Sequence, residues 1–353
     1  MEIKKHVCDS VYNDLVGVIR DTELLLQKKK KFLLTGGTGF IAYYLVVCIL
    51  LANELYDLEN EIHILVRNKN KASEKYKELL SRKDISLIIG DINDNAVEFD
   101  NAYDYIIHAA SGANAESFAN DPIGVFNANV IGTEKLLNNI DKFGCTSMVF
   151  VSSFTVYGCD TKEVPVIDEM YRGRDDWNLD SSCYAYGKKA AELLCVAATK
   201  KYGYPIKIVR PGFVYGDSSP MDNRVYAEII RNLAEMKNIS MKSSGMLFRS
   251  MVYVTDVVRG IFVTLLKGKN GEAYNIANEF VSIRDFAEIA SSTDDSGIVK
   301  VVFNNPKDYE VNLNITNGGE MSIDKLKACG WQPKVSLLDG IKMSVESYRK
   351  KYL

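Results

Sequence analysis

A glycine-rich turn that joins an apolar strand to an apolar helix is the feature that most limits what this chain can fold into. Residues 33–42 read L-L-T-G-G-T-G-F-I-A. Gly36 can make the tight turn, and Gly39 lets the main chain come close to a ligand. The first amides of the helix, at Phe40 and Ile41, supply donors and a positive dipole end for phosphates. The turn predicts a dinucleotide-binding site, although alone it is a weak signal.

Length, charge and cysteine usage narrow the class of protein. The chain has 353 residues, enough for one large α/β domain or for a core domain with a smaller lobe. A formal net charge of -3 gives no indication of the basic surface that binds nucleic acid. The cysteines show no C-x-x-C pairs and there are only three histidines, so we predict no metal site and reduced thiols in a cytoplasmic protein. The cysteines are Cys8, Cys48, Cys145, Cys159, Cys183, Cys195 and Cys329.

No segment of the sequence predicts insertion into a membrane. The longest apolar run, residues 40–52, is shorter than the roughly 20 residues that span a bilayer, and no apolar signal-peptide core precedes Leu24. We expect this run to form a helix buried against a sheet. The basic run 28–31 is expected to be a solvated helix end.

Strand-like and helical patterns alternate through most of the chain. The strand-like runs are residues 32–35, 61–67, 85–90, 103–109, 148–152 and 206–210, with helical patterns between them, for example over 72–82 and 129–143. This alternation predicts a Rossmann-type, doubly wound parallel sheet with helices on both faces. We predict an N-terminal helical extension over 1–30, a dinucleotide-binding domain with the catalytic residues over 31–211, and mainly a smaller C-terminal substrate-binding lobe, with segments returning to the core, over 212–353.

The end of the second strand bears on the choice of cofactor. An NAD site usually has an acidic residue here, whereas an arginine suits the 2′-phosphate of NADP. Val66 occupies the place of the acid and Arg67 follows it, which favours NADP over NAD. The other interpretation is an exposed basic loop that leaves the choice to other residues. At the end of the next strand, Asp91 can place a carboxylate beside the adenine and Ile92 an apolar side chain against it, although the same residues alone equally fit an ordinary strand-end turn.

Small residues close the following strand, at Ala109, Ala110 and Ser111. We expect them to let cofactor and substrate approach the backbone. His108 comes directly before them. A histidine in an apolar strand is more often a core residue than a catalyst, and we interpret it so.

Tyr184 and Lys188 form the strongest candidate pair for catalysis. Four residues apart on a predicted helix, they share one face. A lysine ammonium beside a phenol lowers the tyrosine pKa from about 10 toward working pH, so that the tyrosine can exchange the proton that accompanies hydride transfer. This spacing is common on solvated faces. Here, however, the glycine turn lies upstream and a serine-bearing strand end, with Ser153, lies between.

Several motifs in one order resemble an enzyme family. They are T-G-G-T-G-F-I-A, H-A-A-S, N-A-N-V-I-G-T, V-S-S-F-T-V-Y-G, Y-A-Y-G-K and R-P-G-F-V-Y-G, followed by F-R-S-M-V-Y-V-T-D, A-Y-N-I-A-N and C-G-W-Q-P-K-V-S-L. From about Lys31 nearly to the last residue, the chain resembles the extended short-chain dehydrogenases, specifically the nucleotide-sugar epimerase/dehydratase group. The motifs are highly specific for the family and much less specific for the reaction.

The resemblance implies roles for the catalytic and cofactor residues. Ser153 would hydrogen-bond the reacting oxygen, and Tyr184 would be the acid/base. Lys188 would hold the nicotinamide ribose and tune Tyr184. The resemblance also puts Asn129 near the nicotinamide, with Pro211 and Gly212 lining its pocket.

Four residues are implied to contact the substrate. Arg224 and Arg249 resemble family arginines that meet the nucleotide diphosphate, and an arginine suits this task because its guanidinium binds phosphate oxygens bidentately. Ser111 and Thr155 are the other two.

Three positions depart from the family pattern and narrow the reaction. In 4,6-dehydratases the strand-end motif reads like T-D-E-V-Y-G, and its Asp and Glu perform the elimination; this chain has Phe154 and Thr155 there. Sugar-nucleotide decarboxylases keep the Glu. Phe213 stands where many relatives have an Asn that faces the substrate. Without a carboxylate, removal of a sugar C5 proton has no obvious base, which leaves reversible hydride exchange.

We therefore expect an NAD(P)-dependent oxidoreductase acting on a nucleotide-diphosphate sugar. The foremost prediction is NADPH-dependent reduction of a keto-sugar nucleotide, plausibly for a surface polysaccharide. The alternative is a nucleotide-sugar 4-epimerase with tightly bound NAD, followed by a 4,6-dehydratase or decarboxylase, and last by a non-catalytic dinucleotide sensor. The resemblance also implies a homodimer that packs the Tyr184 helix and the helix before it, although a sheet-facing core helix has the same apolar pattern.

Overall fold

The computed structural model describes residues 2–94, 96–158, 164–173, 176–179, 181–304 and 319–353. Every site residue predicted from the sequence lies within these ranges. Cys159 lies outside them. Across the described ranges, no disulfide joins the cysteines.

The strands of the described residues are mostly short and buried. They are β1 (Lys31–Thr35), β2 (Glu61–Val66), β3 (Ile85–Ile89), β4 (Tyr105–His108), β5 (Ser147–Val151), β6 (Val166–Ile167), β7 (Ile206–Pro211), β8 (Phe213–Tyr215), β9 (Ile239–Met241), β10 (Phe248–Tyr253), β11 (Ala273–Ile276), β12 (Phe280–Ser282), β13 (Val301–Phe303) and β14 (Glu320–Met321).

The helices alternate with these strands through the first two thirds of the chain. They are α1 (Ile3–His6), α2 (Asp9–Asp21), α3 (Phe40–Tyr56), α4 (Lys69–Tyr76), α5 (Ala115–Asn120), α6 (Pro122–Phe143), α7 (Ser182–Tyr202), α8 (Val225–Ala234), α9 (Val254–Lys267), α10 (Ile283–Ser292), α11 (Asp324–Lys327) and α12 (Leu337–Tyr352). Short 3₁₀ turns span Glu23–Leu26, Lys77–Ser81 and Phe154–Tyr157.

Seven of the described strands form one parallel sheet in the order β11-β7-β5-β4-β1-β2-β3. This is the doubly wound Rossmann-type fold that the sequence predicted. The six predicted strands agree with the structure to within two residues. The seventh, β11, was not predicted as a strand and joins the sheet edge beside β7.

Alternate residues of each central strand pack on opposite faces of this sheet. In β1, Phe32 and Leu34 pack into the core on the side of α3 and α9, whereas Leu33 packs into the core on the side of α6 and α7. Strands buried on both faces read as continuous apolar runs, which is why they were visible in the sequence.

Helix α3 confirms the prediction of a buried helix for the longest apolar run. Almost all of its residues are buried, because it lies between the sheet and two further helices, α2 and α9. The predicted N-terminal helix corresponds to α2, which buries Val11, Leu15, Val18 and Ile19. Within the ranges that the structure covers, no helix combines the length and the apolarity needed to cross a bilayer.

One predicted helix is shorter than expected. The pattern over 72–82 predicted a continuous helix, but α4 ends at Tyr76 and a 3₁₀ turn follows. The break lies at Lys77, whose φ of 45° is incompatible with a right-handed helix.

Three small sheets lie outside the large one, in the orders β12-β10-β8, β13-β9 and β14-β6. Strand β8 begins two residues after the end of β7 and pairs in parallel with β10, so that Phe213 lies opposite Met251. Two of their strands, β6 and β8, are the next strands along the chain after β5 and β7.

Candidate active site

Most of the predicted residues follow the carboxyl ends of the parallel strands, and these ends all lie on the same side of the large sheet. The glycine turn follows β1, and Ala109 to Ser111 follow β4, its neighbour in the sheet. Gly36 has a φ of 74°, and a Cβ built on it would lie 2.6 Å from the Ala109 carbonyl oxygen. Only glycine fits there, because the turn packs directly on the backbone after β4.

The glycine turn leads straight into α3. Gly39 is the N-cap of that helix, and its amide donates to the Gly36 carbonyl oxygen over 2.8 Å. The amides of Phe40 and Ile41 therefore belong to the first turn of a long helix, where backbone donors are unpaired within the helix.

Two side chains that the sequence did not single out support the back of this turn. The Tyr76 hydroxyl donates to the Gly37 carbonyl oxygen over 2.5 Å, and the Lys75 ammonium donates to the Thr38 carbonyl oxygen over 3.0 Å. Burial lowers the pKa of Lys75 to about 7. Both residues lie at the end of α4, a position with no sequence motif, so only the tertiary contact identifies them.

Arg67 and Asp91, both predicted to contact the cofactor, lie next to each other after β2 and β3. The guanidinium Nη1 is 3.6 Å from a carboxylate oxygen of Asp91. Arg67 is 70% exposed, whereas Val66 and Ile92 are buried. The structure thus brings an exposed cation and a carboxylate together at the side of the sheet farthest from Tyr184.

His108 is a core residue, as interpreted from the sequence. It is fully buried, its Nδ1 lies 2.7 Å from the Thr35 hydroxyl, and the Ala110 amide donates to the same hydroxyl over 3.2 Å. Burial, together with the charge of Lys188, lowers the pKa of His108 to about 3. A neutral imidazole thus ties the end of β4 to the end of β1.

Tyr184 lies in the first turn of α7, beside Ser153 after β5. Both residues are buried, and their side chains interact. The Phe118 ring stacks on the Tyr184 ring at 5.4 Å between centroids. Burial raises the pKa of Tyr184, and the contacts with Ser153 and Arg224 only partly offset this. Lys188 was expected to lower this pKa, but the structure gives the opposite direction because desolvation dominates.

Lys188 lies one turn further along α7 and is buried. Its ammonium donates to the Val151 carbonyl oxygen over 2.6 Å and lies 4.7 Å from the Phe150 ring and 5.6 Å from the Tyr184 ring. Burial lowers the pKa of Lys188 to about 7, while Glu192 acts in the opposite direction. The ammonium thus contacts the end of β5 rather than the Tyr184 hydroxyl.

A buried ion pair supports this helix below Lys188. Arg210 on β7 binds both carboxylate oxygens of Glu192, over 3.0 and 2.6 Å, and also donates to the Tyr157 hydroxyl over 3.1 Å. The Tyr157 hydroxyl donates to Asn275 on β11 over 2.5 Å. Sequence reasoning missed Glu192, although its spacing of four residues after Lys188 was a usable signal.

Asn129 on α6 connects the predicted cofactor and substrate residues. Its amide nitrogen donates to the Ser111 hydroxyl over 3.0 Å and to the Val125 carbonyl oxygen over 2.8 Å. Its own oxygen is buried and has no partner among the described residues. An unpaired buried acceptor beside the strand edge is a place where a bound molecule can donate a hydrogen bond.

The residues that depart from the family pattern contact one another. The rings of Phe154 and Phe213 lie 4.2 Å apart, and the Arg249 guanidinium lies 4.9 Å from the Phe213 ring. Pro211 ends β7 and Gly212 follows it, so both lie directly before Phe213. Burial lowers the pKa of Arg249 to about 10. The Thr155 hydroxyl is buried and has no partner among the described residues.

Arg224 lies on another side of the site, before α8. It pairs with both carboxylate oxygens of Asp222, and its guanidinium lies 4.9 Å from the Tyr226 ring and 5.9 Å from the Phe40 ring. The positive charge of Arg224 favours the ionised form of Tyr184 and so offsets part of the rise in the Tyr184 pKa that burial causes. The two predicted arginines therefore lie on different elements, with Arg224 acting on Tyr184 and Arg249 lying over the Phe213 ring.

The site fits a dinucleotide. The glycine turn, in which a Cβ at Gly36 would clash with the backbone after β4, leads to the first amides of a long helix. The unpaired side-chain oxygen of Asn129 lies at the same end of the sheet. Among the residues that the structure covers, no cluster of three or more histidine, cysteine or carboxylate side chains could hold a metal ion.

Comparison with known proteins identifies the family. The model of the NAD dependent epimerase/dehydratase family matches residues 32–277. The chain belongs to this family. The match confirms the resemblance to extended short-chain dehydrogenases, and the fold agrees with it.

Curated relatives and solved structures of this family span nearly the whole chain. A dTDP-D-glucose 4,6-dehydratase of Homo sapiens is 28% identical over 346 residues, covering 92% of this chain and 91% of the human protein. Epimerase Mth375 of Methanothermobacter thermautotrophicus has a TM-score of 0.78 at 23% identity, covering 95% of this chain and 96% of its own. A UDP-glucuronic acid 4-epimerase of Bacillus cereus, solved with UDP-glucuronic acid and NAD, has a TM-score of 0.71 at 22% identity, covering 91% and 100%.

Proposed function

We propose that this protein is an NADPH-dependent reductase of a keto sugar carried on a nucleoside diphosphate. One observation carries the proposal. Ser153 and Tyr184 form a hydroxyl pair beside Phe154 and Thr155, where the residues that follow Ser153 supply no carboxylate. Such a site can exchange a proton with a carbonyl oxygen but lacks a base for elimination at a neighbouring carbon.

In the proposed reaction, the Ser153 and Tyr184 hydroxyls hold the carbonyl oxygen of the sugar. Tyr184 gives its phenolic proton to that oxygen as the carbon is reduced. Bound NADPH would supply the hydride. Lys188 holds the end of β5 through the Val151 carbonyl oxygen and supplies a donor near Tyr184 for a ribose hydroxyl. Burial favours the protonated phenol, which is the form that a reductase needs before turnover.

The preference for NADPH is proposed from the charges at the end of β2. Arg67 stands where an NAD site usually has an acid, and the Lys75 ammonium donates to the glycine turn itself. The exposed Arg67 guanidinium favours a ligand with an added phosphate, while Lys75 supports the turn from behind.

A 4-epimerase that retains NAD is the second candidate, and one contact favours it. Asp91 lies 3.6 Å from Arg67, where it offsets the arginine's charge and offers an acceptor for ribose hydroxyls. The B. cereus 4-epimerase also carries NAD.

Binding of the two reduced cofactors separates these candidates. The purified protein would be titrated with NADPH and NADH, with fluorescence as the readout, and we expect NADPH to bind at least tenfold more tightly. Arg67→Asp should remove or reverse this preference, whereas Lys83→Asp, an exposed change before β3, should leave it unchanged. Tighter binding of NADH, or NAD that co-purifies and stays bound, would reject the reductase in favour of the epimerase.

Turnover tests the role of Tyr184. With NADPH and nucleotide-linked 4-keto sugars, Tyr184→Phe should lower kcat by about 10²–10⁴-fold while cofactor affinity stays unchanged. Tyr186→Phe on the same helix is the matched control. Equal activity of the Tyr184→Phe variant and the parent would refute the assignment, and no activity in the parent would leave a dinucleotide sensor as the better description.

A further inference from the structure

Phe154 and Phe213 form an aromatic shelf at the substrate side of the site. Their centroids are 4.2 Å apart with planes at 32°, and both side chains are half-buried. Phe154 packs on the small apolar cluster around Tyr157 and Met321, whereas Phe213 packs on the main core. The shelf therefore joins two packed regions and is not a pair of loose surface rings.

The shelf begins one residue from the reacting hydroxyl. Phe154 directly follows Ser153, and the Thr155 amide donates to the Ser153 hydroxyl oxygen over 3.2 Å, which fixes this short turn. At its other end, Phe213 lies 4.9 Å from the Arg249 guanidinium. In the proposed function, a sugar held by Ser153 and Tyr184 with its diphosphate toward Arg249 would lie along these rings.

The shelf offers little to a hydroxyl group. The ring faces carry no hydrogen-bonding atoms, and three carboxylates of the surrounding segments are engaged elsewhere: Glu192 binds Arg210, Asp222 binds Arg224, and Glu169 accepts the Asn275 amide over 2.8 Å. The one hydroxyl next to the rings, on Thr155, has its oxygen buried, so it is not presented at the exposed face of the shelf. A substrate hydroxyl pressed against the rings would lose its hydrogen bonds to water, whereas a methyl group would gain apolar contact.

We propose that the aromatic shelf makes the enzyme specific for a 6-deoxy sugar, in which a methyl group replaces the hydroxymethyl group beside the reacting carbon. The inference rests on the proposed function, since it takes Ser153 and Tyr184 as the residues that hold the reacting oxygen. Because burying an unpaired hydroxyl is unfavourable, we expect about a 10–100-fold preference for the deoxy sugar.

Binding of matched nucleotide sugars tests the shelf without turnover. Calorimetry with the full chain, saturated with its preferred cofactor, would compare dTDP-6-deoxyglucose with dTDP-glucose, and the corresponding UDP pair. We expect the 6-deoxy member of the pair that binds to have at least tenfold higher affinity. Equal affinities, or tighter binding of the hydroxymethyl sugar, would overturn the shelf while leaving the proposed reductase intact. Failure of all four ligands to bind would overturn both.

Variants of the shelf show whether the rings cause the preference. Phe213→Asn and Phe154→Ser should each reduce the affinity ratio to threefold or less, mainly by weakening the 6-deoxy ligand. Phe143→Ser, at the exposed end of α6, is the control and should keep the parent ratio. Two shelf variants are used because one may unfold; thermal melting identifies a folded one. A folded shelf variant with the parent ratio would reject the proposal.

Discussion

Burial has opposite effects on the two residues proposed to share the proton chemistry. It raises the pKa of Tyr184 and lowers that of Lys188 to about 7, because both charged forms lose water. The Lys188 ammonium contacts the Val151 carbonyl oxygen and the Phe150 ring, and Glu192 raises its pKa in part. The folded protein thus keeps an ammonium group where a neutral side chain would be more stable, a cost typical of functional sites.

The burial of Lys188 predicts how stability depends on pH. Unfolding restores its pKa from about 7 to 10.5, so between these values the unfolded chain binds more protons and the free energy of unfolding rises with pH. Lys188→Met should therefore be more stable than the parent at pH 7, by about 1–3 kcal/mol, and the difference should shrink toward pH 9.5. Urea unfolding at both pH values measures it.

The control for this prediction is Lys200→Met, at an exposed position on the same helix. It should change stability equally and slightly at both pH values. A stability difference for Lys188→Met that is the same at pH 7 and pH 9.5 would contradict the assigned pKa.

At the residue scale, the sequence identified side chains that belong to motifs and missed those that act through tertiary contacts. Tyr184 and Lys188 were singled out by their spacing of four residues on a predicted helix and Ser153 by the strand-end motif, with roles implied by the family resemblance. Phe118 and Tyr76 were not found, because an aromatic residue in a helix has the same pattern whether it stacks on a tyrosine or fills a core. The direction of the Tyr184 pKa shift also depends on burial, which no local pattern reports.

Among the elements, the N-terminal helix α2 is attached to the core by a buried charge cluster on α9. Arg259 is 3% exposed and lies 3.3 Å from Asp14 and 3.3 Å from Asp21, and it also pairs with Asp256. The Asp256 carboxylate in turn accepts the Lys334 and Val335 amides. One guanidinium thus joins α2, α9 and the segment before α12.

Removing this guanidinium should destabilise the fold strongly. Arg259→Leu leaves the buried Asp256 without its cation, and we expect a loss of about 3–5 kcal/mol in the free energy of unfolding. Arg20→Leu, an exposed change on α2, should cost less than about 0.5 kcal/mol. Urea unfolding of both variants checks this. A similar loss for the two would show that the cluster does not hold α2 in place.

Element prediction from the sequence succeeded where burial on both faces gives long apolar runs, as in β1 and β5. It missed β11 because its four residues, A-Y-N-I, include a polar Asn275, whose backbone amide donates to Glu169 and whose side chain binds Tyr157. The strands of the two- and three-stranded sheets were likewise not predicted, since such short strands are defined by pairing with segments that are distant in the sequence.

On the scale of the whole molecule, the sheet topology explains why sequence motifs scattered over 180 residues converge. In a parallel sheet every strand has its carboxyl end on the same side. Motifs at strand ends can therefore be predicted to lie together even when the sequence does not reveal which strands are neighbours. The positions of Arg224 and Arg249 relative to that side of the sheet could not be derived in this way. They lie after β7, where the chain leaves the large sheet and its path is set by packing of the small sheets.

The same architecture leaves apolar side chains on the outer face of α6 and α7, and the family resemblance implies that this face forms a homodimer. Ile123 and Leu193 are 72% and 68% exposed, although α6 and α7 pack closely on each other.

In a twofold interface each residue is buried twice, so one charge substitution acts on both copies. Leu193→Glu should weaken self-association by at least about 100-fold, from two lost apolar burials of about 1.5–3 kcal/mol each. Light scattering after gel filtration should then give a dimer for the parent and a monomer for Leu193→Glu, while Leu338→Glu, 41% exposed on α12, stays dimeric. A parent that is monomeric at micromolar concentration, or an unchanged dimer in Leu193→Glu, would place the interface elsewhere or remove it.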